Sequence, residues 1–207
     1  MDIYRYDESF RKGGYRHIAG IDEAGRGPLA GPVVASAVVL PSGKRIDRLR
    51  DSKKVPEKER DSLFMDVLCC CDDVGVGVVD SETIDHINIL NATKLAMKRA
   101  VEDLSGSADL LLIDALRLPS VEIRQISLIR GESRSASIAA ASIVAKVVRD
   151  GIMRHFDEVY PGYGFGRHKG YSTREHMEKI VSCGPCPIHR KSFEKVLSLG
   201  LPFKGDS

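Results

Sequence analysis

The sequence carries almost no excess charge of either sign. Its 207 residues contain 31 Lys and Arg against 29 Asp and Glu, a formal net charge of +2. A polycation that binds nucleic acid through bulk charge is therefore excluded, and any nucleic-acid surface must come from local clustering of basic residues. Hydrophobic residues make up 43% of the chain and charged residues 29%, which excludes a disordered protein and predicts one compact domain.

Long apolar runs are also missing. The most apolar stretch, residues 27–40, is interrupted by Pro28, Gly31 and Pro32, and it is shorter than the ~20 residues that a membrane-spanning helix needs. The first 16 residues are charged and aromatic, without the apolar core of a signal peptide. We therefore predict a cytoplasmic protein that does not contact membranes.

Cysteines are few, and their number is odd. Three of the five are adjacent, at 69–71, which argues against a disulfide framework and fits a reducing compartment. The other two form Cys183-Gly-Pro-Cys186, the spelling of the thioredoxin-like dithiol motif. That motif opens a helix, which lowers the pKa of its first thiol, whereas this one follows a predicted helix. A structural turn, a reversible disulfide, a dithiol oxidoreductase and a zinc site with His189 remain alternatives.

Apolar periodicity and turn residues predict an α/β fold. Predicted strands cover residues 17–22, 33–40, 74–79, 110–113 and 121–127, and predicted helices cover 56–70, 81–87, 91–104, 135–150, 152–159, 173–181 and 192–199. The first two strands flank a Gly-Pro-rich turn and form a hairpin. Residues 161–171 form a Gly-rich, basic and aromatic loop. This order predicts a mixed central sheet flanked by helices, with a helical C-terminal part.

Acidic residues follow two of the predicted apolar strands. Asp22 and Glu23 follow the first, and Asp114 follows another. Strand ends line the rim of a sheet, where a crevice can form. Carboxylates brought together there raise each other's pKa, and a hard divalent cation relieves the repulsion. Spacing alone leaves open that each acid is a solvated strand end or a cap.

Glycines surround Arg26 just after this acidic pair. Gly25 and Gly27 leave the backbone bare on either side of it, so this backbone can approach a sugar or a phosphate closely. Such a loop can offer amide and carbonyl groups to a ribose hydroxyl. The tripeptide is a weak signal alone and a stronger one beside an acidic pair at a strand end.

The run at 22–33, DEAGRGPLAGPV, strongly resembles the type 2 ribonuclease H family (ribonuclease HII). Further matching segments follow in order at 51–54, 87–93, 112–114, 135–150, 163–165, 168–173 and 184–193, so the likeness covers about residues 16–195. Type 3 enzymes are similar but carry an extra N-terminal domain, and the short segment before the first strand favours type 2. The resemblance implies a ribonuclease H-like fold in a single domain, residues 1–207. Its α/β core would span about 16–160 and its substrate-contacting helical part about 161–207.

The resemblance implies four catalytic, metal-binding acids. Asp22, Glu23 and Asp114 match three of them. Glu132 stands where the family usually has Asp, and its carboxylate is one methylene further from the backbone. We expect Glu132 to be catalytic; alternatively, it is a helix N-terminal acid that favours the helix dipole. The implied cofactors are two divalent ions, Mn²⁺ or Mg²⁺.

The implied activity is that of an endoribonuclease. It hydrolyses the RNA strand of RNA–DNA hybrids and nicks 5′ to ribonucleotides embedded in duplex DNA, leaving 5′-phosphate and 3′-hydroxyl ends, with a role in ribonucleotide removal. RNA–DNA hybrid and ribonucleotide-containing duplex DNA are the expected partners of a monomer, and the tail at 199–207 supports no sliding-clamp partner. A hybrid-binding protein that cuts weakly is the alternative suggested by Glu132, and the Cys-Gly-Pro-Cys motif suggests the oxidoreductase.

The resemblance also implies a substrate-binding set. In the family, a Gly-Arg-Gly backbone and a Tyr recognise the ribonucleotide, and the matching residues here are Gly25, Arg26, Gly27 and Tyr171. Nearby basic residues predict a phosphate track of Arg167, His168, Lys169 and Arg174, extended by Lys53, Lys54, Arg190 and Lys191. The alternatives are a core aromatic for Tyr171 and a solvated charged face for the basic residues.

Overall fold

One mixed β-sheet organises the computed structural model, which describes residues 2–106 and 108–200, except for the side chains of residues 53, 199 and 200. Its strands are β1 (Ile18–Ala24), β2 (Val33–Val39), β3 (Asp73–Val79), β4 (Leu110–Asp114) and β5 (Gln125–Leu128), in the order β3-β2-β1-β4-β5. The first three strands pair antiparallel, and β4 and β5 run parallel to β1. The predicted mixed sheet and the predicted hairpin are therefore confirmed.

Helices cover both faces of this sheet and form the C-terminal part. They are α1 (Ile3–Lys12), α2 (Glu57–Cys70), α3 (Ser81–Glu102), α4 (Ala136–Val159), α5 (Phe165–His168), α6 (Arg174–Cys183) and α7 (Glu194–Gly200), with 3₁₀ turns at Ser52–Lys54 and Gly131–Ser133. In the described part of the chain, each helix falls short of the length or apolarity that a bilayer span requires.

Several predicted boundaries were wrong. The helices predicted at 135–150 and 152–159 are one helix, α4, because Gly151 lies inside it without breaking it. Those predicted at 81–87 and 91–104 share one helical run, α3, which kinks at Asn88 (φ 64°). The strand predicted at 121–127 begins only at Gln125.

Two helices were missed by the sequence patterns. The N-terminal α1 has Asp2 as its N-cap, whose side chain accepts a hydrogen bond from the Tyr4 N–H. The short α5 occupies part of the loop predicted at 161–171.

The two faces of the sheet carry different helices. Helix α3 packs on one face, where Ala96 and Met97 meet β-strand residues such as Ile21. Helix α4 packs on the other face together with α2. Glycine permits the closest approach, since a Cβ on Gly20 would lie 2.0 Å from the Ser137 backbone of α4. This packing fixes the start of α4 against the strands that carry the acidic residues.

Candidate active site

The parallel pairing of β1 and β4 places Asp22 beside Asp114. Ile21 is registered opposite Ile113, and each aspartate is the next residue along its strand. Both isoleucines lie in the core beneath α3. Because side chains alternate along a strand, both aspartates face the side of α4. Glu23 points to the opposite face and pairs with Arg26, whose Nη1 lies 3.3 Å from the Glu23 Oε1.

Glu132 reaches the same region from the turn that precedes α4. This 3₁₀ turn is tied to β4, because the Gly131 N–H donates a 2.7 Å hydrogen bond to the Asp114 Oδ1. Ser135 then caps α4, and its hydroxyl accepts from the Ile138 N–H. Glu132 is 9% exposed. Glu132, the predicted fourth acid, therefore directly follows the residue whose N–H contacts Asp114.

Burial, followed by the charges of the neighbouring acids, dominates the electrostatics of Asp22. Asp22 is 6% exposed, and burial raises its pKa well above the ordinary value. The charges of Glu23 and Asp114, and more weakly that of Glu132, raise the pKa of Asp22 further. A hydrogen bond from the Glu23 N–H to the Asp22 Oδ1 (2.7 Å) opposes this shift. The four carboxylates therefore form one interacting cluster.

The donor chemistry of this cluster fits a hard divalent cation. All four candidate ligands offer carboxylate oxygens, and Mg²⁺ and Mn²⁺ prefer oxygen ligands. Within residues 2–106 and 108–200, however, no three His, Cys, Asp or Glu side chains converge as closely as metal ligands do. The cluster is thus a set of chemically suitable donors rather than a preformed cage.

The loop from Gly25 to Pro32 leaves β1 and borders the acids. Gly25 adopts φ +98°, and a Cβ there would lie 2.1 Å from the Arg149 Nε, so both conformation and space require glycine. At Gly27 a Cβ would meet nothing within 4 Å. In the predicted Gly-Arg-Gly segment, Gly25 therefore packs against Arg149, whereas the space beside Gly27 is unfilled.

Tyr171 lies exposed rather than in the core. Its relative exposure is 44%, and its N–H donates to the His168 carbonyl (2.9 Å). The Lys146 Nζ and the Arg149 guanidinium lie 5.8 and 5.9 Å from the centre of its ring, within reach of a cation–π interaction. The ring is thus held by α4 while its surface stays accessible.

The predicted phosphate track is only partly exposed. Arg167 and Arg174 are exposed and pair with Glu175 and Glu178. His168 and Lys169 are buried: the His168 Nε2–H donates to the Tyr163 carbonyl, and Lys169 forms an ion pair with Glu57 (3.5 Å). The structure therefore does not support a direct phosphate contact for His168 or Lys169. Lys53 lies in the turn Ser52–Lys54, and its side chain is outside the described part.

The largest correction concerns Arg190, which was predicted to contact phosphate. Its side chain is fully buried and donates hydrogen bonds to four main-chain carbonyls of the Gly25–Pro32 loop. Burial lowers the pKa of Arg190 to about 9, so the guanidinium is still charged at neutral pH. Arg190 therefore holds the loop from inside and does not face a ligand.

Sequence reasoning missed Arg149, a second buried arginine. It sits in α4, and its guanidinium donates to the carbonyls of Pro32, Lys169 and Ala30 at 2.9 to 3.1 Å. An arginine that follows the largely apolar first half of α4 was the available signal. Its position joins the Gly25–Pro32 loop to the segment that leads to Tyr171.

The Cys-Gly-Pro-Cys motif lies at the end of a helix. Cys183 is the last residue of α6, and buried Cys186 follows Gly184, which adopts φ +74°. Both thiols are free, as are the three at 69–71. The helix-opening geometry of dithiol oxidoreductases is therefore absent from this segment. The structure describes the whole motif, and Cys186 instead packs near His189, its Sγ 3.1 Å from the ring Nδ1.

A mixed five-stranded sheet with interacting carboxylates at adjacent strand ends is the architecture of ribonuclease H-like nucleases. The family model for Ribonuclease HII matches residues 19–196. Ribonuclease HII of Acetivibrio thermocellus is 56% identical over 195 residues, 94% of this chain and 76% of that protein. The chain therefore belongs to the ribonuclease HII family. It is a ribonuclease H endonuclease that acts on RNA–DNA hybrids.

Solved structures agree with this assignment. The crystal structure of ribonuclease H2 from Pyrococcus horikoshii superimposes with a TM-score of 0.71 at 27% identity, covering 88% of this chain and 96% of that one. Bst-RNase HIII in complex with Mn²⁺ shares the fold, with a TM-score of 0.68 at 19% identity over 89% of this chain and 69% of that one. Ribonucleases H depend on divalent metal ions.

Proposed function

We propose that this endonuclease nicks duplex DNA on the 5′ side of an embedded ribonucleotide, in addition to cutting RNA–DNA hybrids. Water adds to the phosphorus and the P–O3′ bond breaks, so the upstream strand keeps a 3′-hydroxyl and the ribonucleotide keeps a 5′-phosphate. The observation that supports this proposal is the position of Asp22 beside Asp114, each one residue past the registered pair Ile21–Ile113. Glu132 is connected to Asp114 through the hydrogen bond of Gly131. The role that follows is removal of ribonucleotides from DNA.

The four acids divide the work in this proposal. Asp22 and Asp114 hold the divalent ions, Mg²⁺ or Mn²⁺, since they lie side by side on the rigid strands β1 and β4. Glu23 and Glu132 complete the ligand sets or orient the attacking water. When bound, two such ions supply Lewis-acid stabilisation of the charge that develops on the phosphate and on the departing 3′ oxygen.

Recognition of the ribonucleotide rests on the 2′-hydroxyl, because this group alone separates RNA from DNA at one sugar. The open backbone at Gly27 and the exposed ring of Tyr171 are the candidate contacts. The Tyr171 ring packs on the neighbouring deoxyribose, and its hydroxyl reaches the 2′-hydroxyl. Exposed Arg26 and Arg167 contact phosphates, which position the duplex without reading its sequence.

Other features of the proposal concern the protein as a whole. The free thiols support a reducing, cytoplasmic location. A monomeric state stays a prediction, as does the division into a core and a substrate-contacting part. The predicted lack of a sliding-clamp motif concerns residues 199–207, of which 201–207 lie outside the described residues.

The test is cleavage of a DNA duplex that carries one ribonucleotide and a 5′ label. We expect one product, ending in a 3′-hydroxyl immediately before the ribonucleotide, formed with Mg²⁺ or Mn²⁺ and absent with a chelator. The matched control is the same duplex without the ribonucleotide, which should stay intact. Binding of the substrate without cutting in either metal would instead support a hybrid-binding protein.

Glu132→Asp, assayed beside the wild type in both metals, addresses the longer fourth acid. If Glu132 contributes to metal binding, shortening its side chain changes the ratio of the rates in Mg²⁺ and Mn²⁺, because metal–ligand distances tolerate only about 0.2 Å. An unchanged ratio and rate would instead support the alternative role of Glu132, that of a helix N-terminal acid that favours the dipole of α4.

A further inference from the structure

Arg190 carries a buried positive charge beneath the loop that borders the acids. Its Nε donates to the Gly31 carbonyl (3.0 Å), its Nη1 to the carbonyls of Arg26 (3.0 Å) and Pro28 (2.8 Å), and its Nη2 to that of Gly25 (2.5 Å). Within the described residues, no carboxylate lies at ion-pair distance from this guanidinium. The main-chain carbonyls are therefore the groups that compensate its charge.

These contacts fix the direction of two peptide groups. The described peptide bonds are all trans, and in a trans peptide the C=O and the following N–H point in opposite directions. The carbonyls of Gly25 and Arg26 point inward to Arg190. Consequently the N–H groups of Arg26 and Gly27 point away from Arg190, toward the open side of the loop.

The loop has little freedom to turn these peptides over. Gly25 holds φ +98°, and its inner side lies directly on the Arg149 side chain. The Leu29 N–H donates to the Gly170 carbonyl, and the Gly31 N–H donates to the Ile188 carbonyl, both at 2.8 Å. The segment is thus fastened on both sides of the two outward N–H groups.

We propose that Arg190 is a positioning residue for ribonucleotide selectivity. By holding two carbonyls inward, it presents the N–H groups of Arg26 and Gly27 as a pair of preoriented donors for a sugar hydroxyl oxygen. A deoxyribose lacks that acceptor, so these hydrogen bonds strengthen the binding of the ribonucleotide alone. This inference rests on the proposed function, in which the Gly25–Gly27 backbone reads the 2′-hydroxyl.

Lysine cannot replace the guanidinium in this role. Arginine offers five N–H donors in a rigid planar fork, whereas lysine offers a compact ammonium with three donors on a flexible stem. The four carbonyls, those of Gly25, Arg26, Pro28 and Gly31, match the fork. Arg190→Lys therefore keeps the charge and loses the orientation of the loop.

The experiment measures binding without cutting, in metal-free buffer with a chelator. Two probes are used: a DNA duplex with one ribonucleotide and the same duplex made entirely of DNA. Selectivity is the dissociation constant for the all-DNA duplex divided by that for the ribonucleotide duplex. A loss of affinity that is equal for both duplexes leaves this ratio unchanged. We expect Arg190→Lys to reduce the ratio about three- to tenfold, the effect of misorienting one or two hydrogen-bond donors.

Arg11→Lys is the matched control. Arg11 also donates to main-chain carbonyls, those of Arg16 and Leu40, and its side chain is only 11% exposed, but it lies in α1, outside the loop. We expect this variant to keep the wild-type ratio. An equal fall of the ratio in both variants would overturn the proposal, since general loosening of the fold would then explain it.

The outcomes separate the inference from the function on which it rests. A wild-type ratio of one would contradict the proposed reading of the 2′-hydroxyl itself. A wild-type preference that survives Arg190→Lys unchanged would overturn the role of Arg190 alone. Should the variant not fold, wild-type amide NMR decides: the Arg26 and Gly27 N–H signals should shift with the ribonucleotide duplex and not with the DNA duplex. Equal shifts with both would overturn the proposal.

Discussion

At the scale of single residues, folding buries Asp22 and brings it close to other acids at the sheet edge, which disfavours its ionised form. Asp22 is buried next to other carboxylates, and its pKa is raised as a result. A carboxyl group whose pKa is raised on folding favours the folded state while protonated, and this stabilisation is lost as pH rises through the folded pKa. Ionisation of Asp22 therefore lowers the stability of the folded state, and a cation bound as proposed would offset that loss.

Asp22→Asn should separate stability from activity. Removing the ionisable group relieves the repulsion, so the metal-free variant should melt above the wild type at pH 7.5, by about 2–4 °C for each kcal/mol recovered. Cleavage should fall to background. Thermal unfolding with a chelator and with Mn²⁺ measures the change in stability, and cleavage of the duplex with one ribonucleotide measures the loss of activity. A variant that melts below the metal-free wild type, or that gains as much from Mn²⁺ as the wild type does, would contradict this account.

Tyr171→Ala should weaken cleavage at an embedded ribonucleotide more than it weakens affinity for duplex DNA. The ring is exposed, and Lys146 and Arg149 lie over it. Its loss would therefore remove the proposed substrate contact rather than core packing. We expect a drop of about tenfold or more in kcat/KM, equivalent to at least 1.4 kcal/mol. Tyr15→Ala, before β1, is the control and should leave both properties unchanged. Equal losses of cleavage and affinity would contradict the role of Tyr171.

At the scale of elements, the sequence predicted types better than boundaries. Apolar runs identified each strand near its observed place, because buried strands need them. Asp22 and Glu23, however, lie inside β1, since backbone pairing with β2 continues past the last apolar residue. Gly151 was read as a break between helices, but packing of α4 overrides its low helix propensity.

The approach of β1 to α4 requires glycine at position 20. Gly20→Ala would place a Cβ 2.0 Å from the Ser137 backbone, so strand and helix must separate. We expect a loss of about 1–3 kcal/mol or more in the free energy of unfolding. Gly151→Ala is the matched control within α4: its Cβ meets only the Arg154 guanidinium at 3.9 Å, and the change should stabilise by about 0.5–1 kcal/mol. Urea unfolding measures both, and similar stabilities for the two variants would refute this packing argument.

The interior contacts of the C-terminal part were the least predictable from sequence. Arg190 belongs to a basic run that is typical of a solvated face, and its burial depends on four carbonyls distant in sequence. No local pattern reports such a contact. Asp22, Glu23 and Asp114, by contrast, could be singled out as candidates because they stand at the ends of apolar strands, and their convergence needed the register of the sheet. Glu132 lies in a turn, and only the family resemblance pointed to it.

At the scale of the whole molecule, buried histidines link the C-terminal segments. The His176 Nδ1–H donates to the Tyr171 carbonyl (2.9 Å), and its Nε2 accepts from the His189 Nε2–H (3.0 Å). The Cys186 N–H donates to the His189 Nδ1 (2.9 Å). Burial lowers the pKa of both histidines to about 4, so the network requires neutral rings.

Acid should therefore weaken this part of the fold. The pKa of His176 falls from about 6.5 when unfolded to about 4 when folded, so its stabilising contribution is complete above pH 6.5 and is lost as pH falls toward 4. Relative to a His176→Gln variant, the wild type should lose about 2 kcal/mol between pH 7.5 and pH 5. The comparison cancels the carboxyl groups common to both proteins. His155→Gln, at an exposed site, is the control, and an identical pH dependence of the wild type and His176→Gln would refute the assignment.

The most direct test of the central claim, that the acids at the sheet edge form the catalytic metal site, is anomalous diffraction from crystals soaked in Mn²⁺. The account predicts an anomalous peak in contact with the carboxylates of both Asp22 and Asp114, and loss of that peak in Asp114→Asn crystals. Mn²⁺ bound away from both aspartates in an enzyme that cleaves with Mn²⁺ would contradict it.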